Sequence, residues 1–589
     1  MTDKEDIIII GAGPAGLTAA YELVKSGRCP LVLEKGSKVG GLARTETYKG
    51  YRFDIGGHRF FTKNEQINRL WKQILGKEFI KVSRLSRIYF DDRYINYPLS
   101  FFDVLSNLGI IEGALILLSY LGTKTRSSSE EISFEQWVTS RFGKRLYNKF
   151  FKTYTEKVWG IPCDQIRADW AAQRIGGMSL TRALSNAILG SNNSRSLISE
   201  FYYPILGPGM MWRRLQEMVV DQGGRILLNS EVIRIHRERT RIRSITIREG
   251  KQTTEIAGRH FMSTMPLTEL IACTYPQPED EVLRAALKLS FRAFILVGLI
   301  IDRKDLFPDQ WIYVHSPRVR VGRIQNFKNW SPAMVPDPQK TSVGMEYFCT
   351  KGDDMWNMPD AELVEMASRE LCQLGMAEIG EFIDGFVERQ PNAYPVYDSD
   401  YDEHVKVIRD FLSTLENLQT IGRNGLHRYS NMDLSMHTGI LAAQNISGAN
   451  HDLWEVSTKD AHLEKQERVR KGHFYNEELL MRTFARMDKL AFGISMGAVS
   501  GLVFFIATIW LVIKGGEVVG PNLQLLSQYF FGYTVTVGGA FIAFGYGFFC
   551  GALFGWLFAC LRNLLFAIYV YRVKKRTERL SLKDLFDSH

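Results

Sequence analysis

The chain has 589 residues, more than one compact domain usually contains, so we expect several domains. Hydrophobic residues make up 45% and charged residues 23% of it, which is typical of folded protein and excludes extensive disorder. The net charge of +9 does not indicate nucleic-acid binding, because no basic run alternates with aromatic residues. The seven cysteines show no CxxC or metal-ligand spacing, which suits a reducing compartment and predicts neither disulfides nor a metal site.

Residues 7–35, IIIIGAGPAGLTAAYELVKSGRCPLVLEK, have the pattern of a nucleotide-binding strand, turn, helix and second strand. The glycines allow a sharp turn, close approach of backbone to a pyrophosphate, and tight packing of helix on sheet. The helix N-terminus then offers unpaired N–H groups to phosphate, and the acid that ends the second strand accepts from a ribose hydroxyl. The predicted cofactor contacts in this stretch are Gly11, Gly13, Pro14, Ala15, Gly16, Glu34 and Lys35.

A second glycine cluster follows in KGSKVGGLARTETYKGYRFDIGGHRFF, residues 35–61. With the first motif, it resembles the FAD-binding flavoproteins of the amine oxidase, protoporphyrinogen oxidase and UDP-galactopyranose mutase group. The resemblance implies that the paired glycines and the arginine lie along FAD and that the Gly-Gly after Asp54 passes near the flavin ring. The implied cofactor contacts are Gly41, Leu42, Arg44, Gly56, Gly57 and His58. His58 is equally compatible with a hydrogen-bonding role in the turn.

The resemblance implies an α/β fold in which a Rossmann-like FAD-binding domain is interleaved with an α+β substrate domain. We expect the FAD-binding domain to comprise residues 1–99, 207–270 and 417–454. A helical substrate domain at 100–206 and a substrate-domain sheet at 271–416 lie between these pieces. A helical connector at 455–489, a transmembrane hairpin at 490–561 and a cytoplasmic tail at 562–589 complete the chain.

The segment IGRNGLHRYSNMDLSMHTGILAAQNI, residues 421–446, predicts a turn that leads into a helix of small residues. In the family such a helix N-terminus points at the pyrophosphate or the flavin. A valine on an earlier predicted strand takes the place where the family contacts the adenine end. The implied contacts are Val232, Gly422, Arg423, Asp433, Ser435 and Met436.

Three further segments resemble UDP-galactopyranose mutases within this group: FKTYTEKVWG (151–160), VGRIQNFKNW (321–330) and NAYPVY (392–397). Arginine suits a diphosphate because its permanent charge is presented by a planar fork of donors. The resemblance implies substrate contacts from Tyr154, Trp159, Arg174, Tyr394 and Tyr429, and catalytic roles for Arg323, Arg423 and His58. Taken singly, the two aromatics Trp159 and Tyr394 also suit a hydrophobic core, and Arg323 also suits a salt bridge.

This sequence departs from the mutase pattern at several positions. The second histidine of the mutase G-x-H-x-F-H segment is Phe61, and its Tyr-x-Tyr after Gly-Arg is His427-Arg428-Tyr429. The mutase arginine pair after the tryptophan motif is matched at best by Arg174. These departures leave the identity of the sugar open.

The C-terminal part predicts two membrane spans. Residues 490–513 and 518–561 contain no charged residue and are long enough to cross a bilayer. Glycines recur every four residues in both, which lets two helices approach closely. Basic residues lie before the first span and after the second. The positive-inside rule, together with the polar N-terminus MTDKED, predicts a multi-pass protein of the cytoplasmic membrane with its catalytic domain and both termini in the cytoplasm.

The resemblance leaves three hypotheses for the function. In the first, a mutase-like enzyme uses reduced flavin to isomerise a nucleotide- or lipid-linked sugar, in the context of cell-envelope polysaccharide. In the second, an oxidase or desaturase of the protoporphyrinogen oxidase or amine oxidase type takes a hydride from an apolar substrate. In the third, a non-enzymatic membrane scaffold retains the FAD fold. We expect a small-molecule or lipid-linked sugar substrate, the membrane and no nucleic acid as partners; the oligomeric state stays open.

Overall fold

The computed structural model describes residues 5–97, 109–124, 132–168, 200–456, 488–515 and 520–586. The chain divides into two compact units, Met1–Gln466 and Glu467–His589. Arg174 and most of the predicted connector lie outside the described residues.

An eight-stranded sheet organises the first unit. Its order is Thr274–Tyr275, Glu231–Glu238, Arg241–Glu249, Gln252–Ser263, Glu5–Ile10, Leu31–Leu33 and Arg225–Leu227, with Leu418–Thr420 also paired to Gln252–Ser263. The strand Glu5–Ile10 is parallel to both neighbours, in register Ile8 to Leu31 and Ile10 to Ser263. Its four isoleucines are buried, as expected of a central parallel strand covered on both faces.

The helix Pro14–Lys25 follows this strand and packs against the helix Met432–Ile446. A side chain at Gly439 would lie 2.3 Å from the carbonyl oxygen of Ala15, so glycine lets the two backbones touch. Residues more than 400 positions apart in sequence are thereby joined in one layer, and the N-termini of both helices lie along one cavity.

A seven-stranded sheet lies in the same unit. Its order is Phe382–Pro395, Phe291–Ile301, Thr341–Cys349, Arg323–Asn326, Trp311–Val314, Ser86–Phe90 and Arg93–Asn96. The first four strands are antiparallel to their neighbours. The helix Asp360–Gln373 packs against this sheet. Two small antiparallel pairs, Thr45–Tyr48 with Tyr51–Asp54 and Phe79–Ser83 with Glu200–Pro204, complete the strands.

The remaining helices of the first unit are short. They are Glu65–Leu75, Ile110–Lys124, Phe134–Phe142, Lys144–Leu146, Thr153–Trp159, Gly209–Asp221, Leu267–Cys273, Asp280–Lys288, Phe327–Trp330, Asp354–Asn357, Tyr401–Ser413 and Gly422–Gly425, with a π-helical turn at Tyr147–Lys152 and 3₁₀ turns at Gly41–Ala43, Gly76–Glu78, Pro332–Met334 and Ile379–Glu381. The architecture is mixed α/β, which confirms the predicted fold class.

Sheet membership differs from the expected domain pieces in two places. Strands Ser86–Phe90 and Arg93–Asn96 pair into the seven-stranded sheet, although the piece 1–99 was expected to bind FAD. Strand Thr274–Tyr275 pairs with Glu231–Glu238, although it follows the expected boundary at residue 270. These domain boundaries are set by backbone pairing between strands that are distant in sequence, and no local change in composition marks them.

The second unit contains the helices Lys489–Lys514, Pro521–Gln524 and Val537–Phe586, with a 3₁₀ turn at Leu525–Gln528. Residues Lys489–Lys514 and Val537–Asn563 are each long and apolar enough to cross a membrane. Side chains at Gly493, Gly497 and Gly501 would lie 2.6–2.9 Å from carbonyl oxygens of the facing helix, so the predicted glycine rows make the contact. The second helix continues to Phe586, well past the predicted span.

Candidate functional site

A cavity of about 520 Å³ lies in the first unit and is lined by elements of both large sheets. One side carries the glycine turn after the strand Glu5–Ile10 and the N-termini of two helices. The other carries the strand Arg323–Asn326 and the end of the strand Phe382–Pro395.

The glycine turn has the geometry that the sequence predicts. Gly11 has a φ of +100°, and a Cβ there would lie 2.0 Å from the Thr264 hydroxyl oxygen. A Cβ at Gly16 would lie 2.0 Å from the carbonyl oxygen of Gly11, so Gly16 serves helix–strand packing. Next to this turn, Gly41 has a φ of +53° and its Cβ position would lie 3.3 Å from the Cα of Gly13. These glycines leave a backbone cradle that side chains would fill.

The Glu34 carboxylate is fixed at the end of the second strand. One oxygen accepts from the Ala12 N–H and the other from the Gly36 N–H, both at 2.8 Å. The carboxylate lines the cavity and stays partly exposed, so it retains acceptor capacity for a ribose hydroxyl.

Two helix N-termini meet at the cavity without side-chain caps. Gly13 precedes the helix Pro14–Lys25, and Asn431 precedes the helix Met432–Ile446. Because neither cap residue bonds the first turn through its side chain, the orphan N–H groups face the cavity with positive dipole ends. Two such ends suit a pyrophosphate.

The turn at Gly56-Gly57-His58 crosses the middle of the cavity. The His58 Nε2–H donates to the carbonyl oxygen of Ile55 at 2.8 Å, which is the turn role that the sequence left open. Burial lowers the pKa of His58 to about 4, and the positive charge of Arg423 acts in the same direction. The imidazole is therefore neutral at physiological pH and carries no charge to the site.

A buried ion pair stands against this turn. Arg323 donates through Nε to Glu346, whose carboxylate is fully buried and also accepts from the Gln325 Nε2 at 2.9 Å. Burial opposes the charged guanidinium, but the Glu346 carboxylate and the surrounding tyrosines together raise the pKa of Arg323. A Cβ at Gly56 would lie 3.6 Å from the Arg323 Nη2. The salt-bridge role foreseen for Arg323 and its position at the cavity therefore coexist.

Arg423 carries a different balance of charge. Its guanidinium donates to the carbonyl oxygens of Ser430 (3.0 and 2.7 Å) and Ala393 (3.0 Å), and among the described residues no carboxylate pairs with it. Its Cζ lies 4.4 Å from the centre of the Tyr429 ring, which stacks on Tyr394 at 5.7 Å. Arg44, by contrast, is paired with two glutamates. Arg423 is thus a cation on the cavity wall held by neutral partners.

The structure brings most of the predicted residues together. Those that line the cavity are Gly11, Gly13, Pro14, Ala15, Glu34, Lys35, Gly41, Leu42, Arg44, Gly56, Gly57, His58, Val232, Arg323, Tyr394, Gly422, Arg423, Tyr429 and Ser435.

Five described residues are placed elsewhere. Gly16 packs behind the turn, and Asp433 is buried in the first turn of its helix. Met436 is fully buried and its sulfur accepts from the Trp71 indole at 3.1 Å, so it faces the core where we expected a cofactor contact. Tyr154 stacks on His315 at 4.6 Å, and Trp159 packs against Tyr394 at 6.3 Å, both behind the lining.

Sequence reasoning missed Glu346 and Gln325, and it missed the contact of Thr264 with Gly11. Glu346 is a single acid inside the apolar run SVGMEYF, and such an acid in a buried strand was the available signal. Gln325 is two positions from Arg323 and therefore on the same face of its strand. Thr264 follows a long strand, and no local pattern marks its contact with Gly11.

Comparison with known proteins identifies the family. The family model for flavin containing amine oxidoreductases matches residues 14–447. The chain belongs to this family. It is a flavoenzyme of the amine oxidoreductase family with FAD as its cofactor, which confirms the predicted cofactor and sets aside the scaffold hypothesis.

Individual relatives are distant or short. An L-amino-acid oxidase of Siganus canaliculatus is 24% identical over 490 residues, 75% of this chain and 85% of the relative. A segment of 54 residues is 50% identical to the inactive all-trans-retinol 13,14-reductase of Danio rerio and spans 9% of either chain. A match to the putrescine oxidase of Kocuria rosea spans 11% of that enzyme.

Solved structures share the fold. Reduced UDP-galactopyranose mutase superposes with a TM-score of 0.68 at 21% identity, covering 78% of this chain and 97% of that one. Putrescine oxidase with bound putrescine has a TM-score of 0.53 at 16% identity, covering 76% and 100%. The residues around the cavity fit FAD. A glycine cradle, two uncapped helix N-termini and Glu34, fixed at the end of the second strand, are the groups that hold a dinucleotide.

Proposed function

We propose that the protein is a membrane-anchored FAD-dependent enzyme that acts on a nucleotide- or lipid-linked sugar, as a mutase-like isomerase. The observation that carries the proposal is Arg423, a guanidinium on the cavity wall that has carbonyl partners and no paired carboxylate among the described residues. Three of its five N–H groups are used in these bonds, which leaves two for an anion such as a diphosphate.

The side chains around Arg423 support binding of a sugar phosphate. Tyr394 and Tyr429 stack beside the guanidinium and present hydroxyl groups without a competing charge. Burial raises the pKa of Tyr394 to about 12, so its phenol keeps its proton and donates to an oxyanion. Arg323 and Arg423 both face the space next to the Gly56–Gly57 turn and stabilise negative charge there.

FAD, when bound, supplies the redox or nucleophilic chemistry of its ring, held by the turn residues Gly11 and Gly13, by Glu34 and by the two helix N-termini. The protein residues position the substrate and exclude water. His58 is neutral and fixed to Ile55, so it shapes the turn and does not donate a proton to the substrate.

The membrane part of the proposal rests on the second unit. Its two apolar helices are of spanning length, and basic residues follow the second one. We propose that both ends of the hairpin face the cytoplasm. Protease protection of an epitope placed between Lys514 and Pro521 tests the orientation: protection of that loop in spheroplasts, where only the outer face is accessible, contradicts it.

The test uses the detergent-purified holoenzyme. After the flavin spectrum is recorded, the protein is reduced anaerobically with dithionite and incubated with UDP-galactopyranose or UDP-galactofuranose, and the sugars are separated by chromatography. We expect interconversion only with reduced flavin and without net consumption of reductant. A yellow protein that converts neither sugar contradicts UDP-galactose as substrate, and a polyprenyl-linked sugar is then tried.

A matched pair of arginines tests the role of Arg423. Arg423→Met removes a charge-assisted contact, so KM rises roughly 10- to 100-fold, corresponding to about 1.5–3 kcal/mol. Arg428 lies on the same segment as Arg423. It donates to the carbonyl oxygens of Val456 and Trp454 but does not line the cavity. Arg428→Met therefore leaves KM near that of the wild type. Equal effects from both substitutions contradict the role of Arg423.

A second candidate is an oxidase or desaturase of an apolar substrate. It is favoured by the aromatic side chains in the cavity lining, which besides Tyr394 and Tyr429 include Phe61, Tyr97, Phe294, Trp311, Tyr313 and Trp330. Under this alternative, a porphyrinogen or similar apolar donor bleaches the oxidised flavin under anaerobic conditions. UDP-sugars then have no effect on the protein.

A further inference from the structure

Gln325 presents a buried acceptor that no described group satisfies. The side chain is fully buried and lines the cavity. Its Nε2 donates to the Glu346 Oε1 at 2.9 Å. A carboxylate paired with Arg323 only accepts, so this bond fixes which way the amide faces. The Oε1 is turned away from Glu346 and has no hydrogen-bond partner among the described residues.

The amide lies directly against the glycine turn of the cofactor cavity. A Cβ at Gly57 would lie 2.8 Å from the Gln325 Nε2 and 3.4 Å from its Oε1. Because residue 57 is glycine, nothing from the turn covers the amide oxygen. The neighbouring Asn326 also has an orphan oxygen, but it is on the opposite face of the strand and does not line the cavity.

An unpartnered buried acceptor is destabilising, so a donor from a ligand is expected to complete it. Two-electron reduction of a flavin takes up two electrons from a donor and protons from solvent, and these protons become ring N–H groups. An acceptor at the flavin site therefore favours the reduced form over the oxidised one.

We propose that Gln325 is a positioning and redox-tuning residue whose Oε1 accepts a hydrogen bond from an N–H that FAD has only when reduced. Glu346 holds the amide in the accepting orientation. The proposal rests on FAD binding, which the family shows, and it does not require a sugar substrate. Its failure is thus separable from failure of the proposed function.

The experiment measures the midpoint potential of the holoenzyme by anaerobic dithionite titration against a reference dye, without substrate. In Gln325→Met we expect the ratio of reduced to oxidised FAD at a given potential to fall about tenfold. For a two-electron couple this places the midpoint about 30 mV more negative. Asn326→Leu on the other face of the strand leaves the potential at the wild-type value.

A double-variant cycle separates the acceptor from an indirect effect through Glu346. If Gln325→Met acts by freeing the Glu346 carboxylate, its effect disappears in a Glu346→Gln background; if the Oε1 is responsible, the effect remains. Should Gln325→Met fail to retain FAD, Gln325→Asn keeps an amide but withdraws the oxygen, and a smaller shift in the same direction is expected. An unchanged potential in the variant that retains FAD, or an equal shift in Asn326→Leu, overturns the proposal. So does a loss of substrate affinity without a change in potential.

Discussion

One wall of the cavity is made of backbone, whereas the facing wall is made of charged and aromatic side chains. The backbone wall consists of Gly11, Gly13, Gly41 and the two uncapped helix N-termini. The side-chain wall consists of Arg323, Gln325 and Tyr394 and is backed by Glu346. Backbone N–H groups can bind the same cofactor throughout a family, because they do not depend on side-chain identity. Side chains, by contrast, can differ between family members with different substrates. We therefore expect the backbone wall to hold the shared cofactor and the side-chain wall, apart from Gln325, to contact the substrate.

Removing the buried acid behind the side-chain wall has the largest expected effect. Glu346→Leu leaves the Arg323 guanidinium buried without a carboxylate, and we expect the free energy of unfolding to fall by about 3–5 kcal/mol. The control is Glu416→Leu, which removes a solvent-exposed pair with Arg241 and should change the free energy of unfolding far less. Denaturant unfolding in detergent measures both. Similar losses of unfolding free energy in both variants would contradict a special structural role for the buried Arg323–Glu346 pair.

Acid should weaken the side-chain wall, because its support contains a buried histidine and backbone amides do not titrate. Burial, with Lys157 nearby, lowers the pKa of His315 to about 3. Between pH 6.5 and pH 4 the unfolded chain binds a proton that the folded chain does not, so stability falls as pH falls. The expected loss is roughly 3 kcal/mol.

The slope of unfolding free energy against pH measures this contribution. His315→Asn should flatten the slope across that range, and His451→Asn, at an exposed position, should not. His58 and His427 act in the same direction, since burial lowers the pKa of each to about 4. A slope unchanged by His315→Asn would place the acid sensitivity in those two residues.

A side chain introduced into the backbone wall is expected to weaken FAD binding by steric clash. Gly11→Ala puts a Cβ 2.0 Å from the Thr264 hydroxyl oxygen at a φ of +100°, and we expect the FAD dissociation constant to rise on the order of 100-fold. Gly27→Ala is a matched control, because Gly27 also has a positive φ, +75°, but open space around it. Flavin content after dialysis distinguishes them; retention of FAD by Gly11→Ala contradicts the steric account.

A smaller effect on the free energy of unfolding is expected from the lysine that supports the side-chain wall. The Lys157 ammonium lies 2.9–3.4 Å from four carbonyl oxygens between Val314 and Val321, and the Glu370 carboxylate accepts from the backbone N–H groups of Arg320 and Val321 on the same loop. This loop leads into Arg323. Lys157→Met should lower the unfolding free energy by about 2 kcal/mol, against almost none for the exposed Lys63→Met. Thermal unfolding of both variants provides the measurement.

The backbone wall could be predicted because its information is local. The turn at Gly11, the terminal acid Glu34 and the following helix occupy one short segment, and each residue type has one physical reason to be there. The α/β class and the apolar hairpin followed from the same kind of local pattern. Met436 was placed at the cofactor because it lies in the first turns of a helix, but its position on that helix faces Trp71.

The side-chain wall could be predicted only in part. Arg323 and Tyr394 were found by resemblance, yet the partners that fix their charge and orientation come from other strands. Glu346 is brought to Arg323 by antiparallel pairing of two strands, and sequence spacing carries no record of that register. The positions of Tyr154 and Trp159 behind the cavity lining also depend on such long-range packing.

The helix Val537–Phe586 has a mechanical consequence. Its apolar part ends near Asn563, and the 23 residues that follow in the same continuous helix extend roughly 35 Å at 1.5 Å per residue. A bilayer core is about 30 Å thick and the apolar part alone is long enough to cross it, so the 23-residue extension cannot also lie within that core. Under the proposed membrane anchoring, the part of this helix after Asn563 is a stiff extension that projects from the lipid rather than a loose tether.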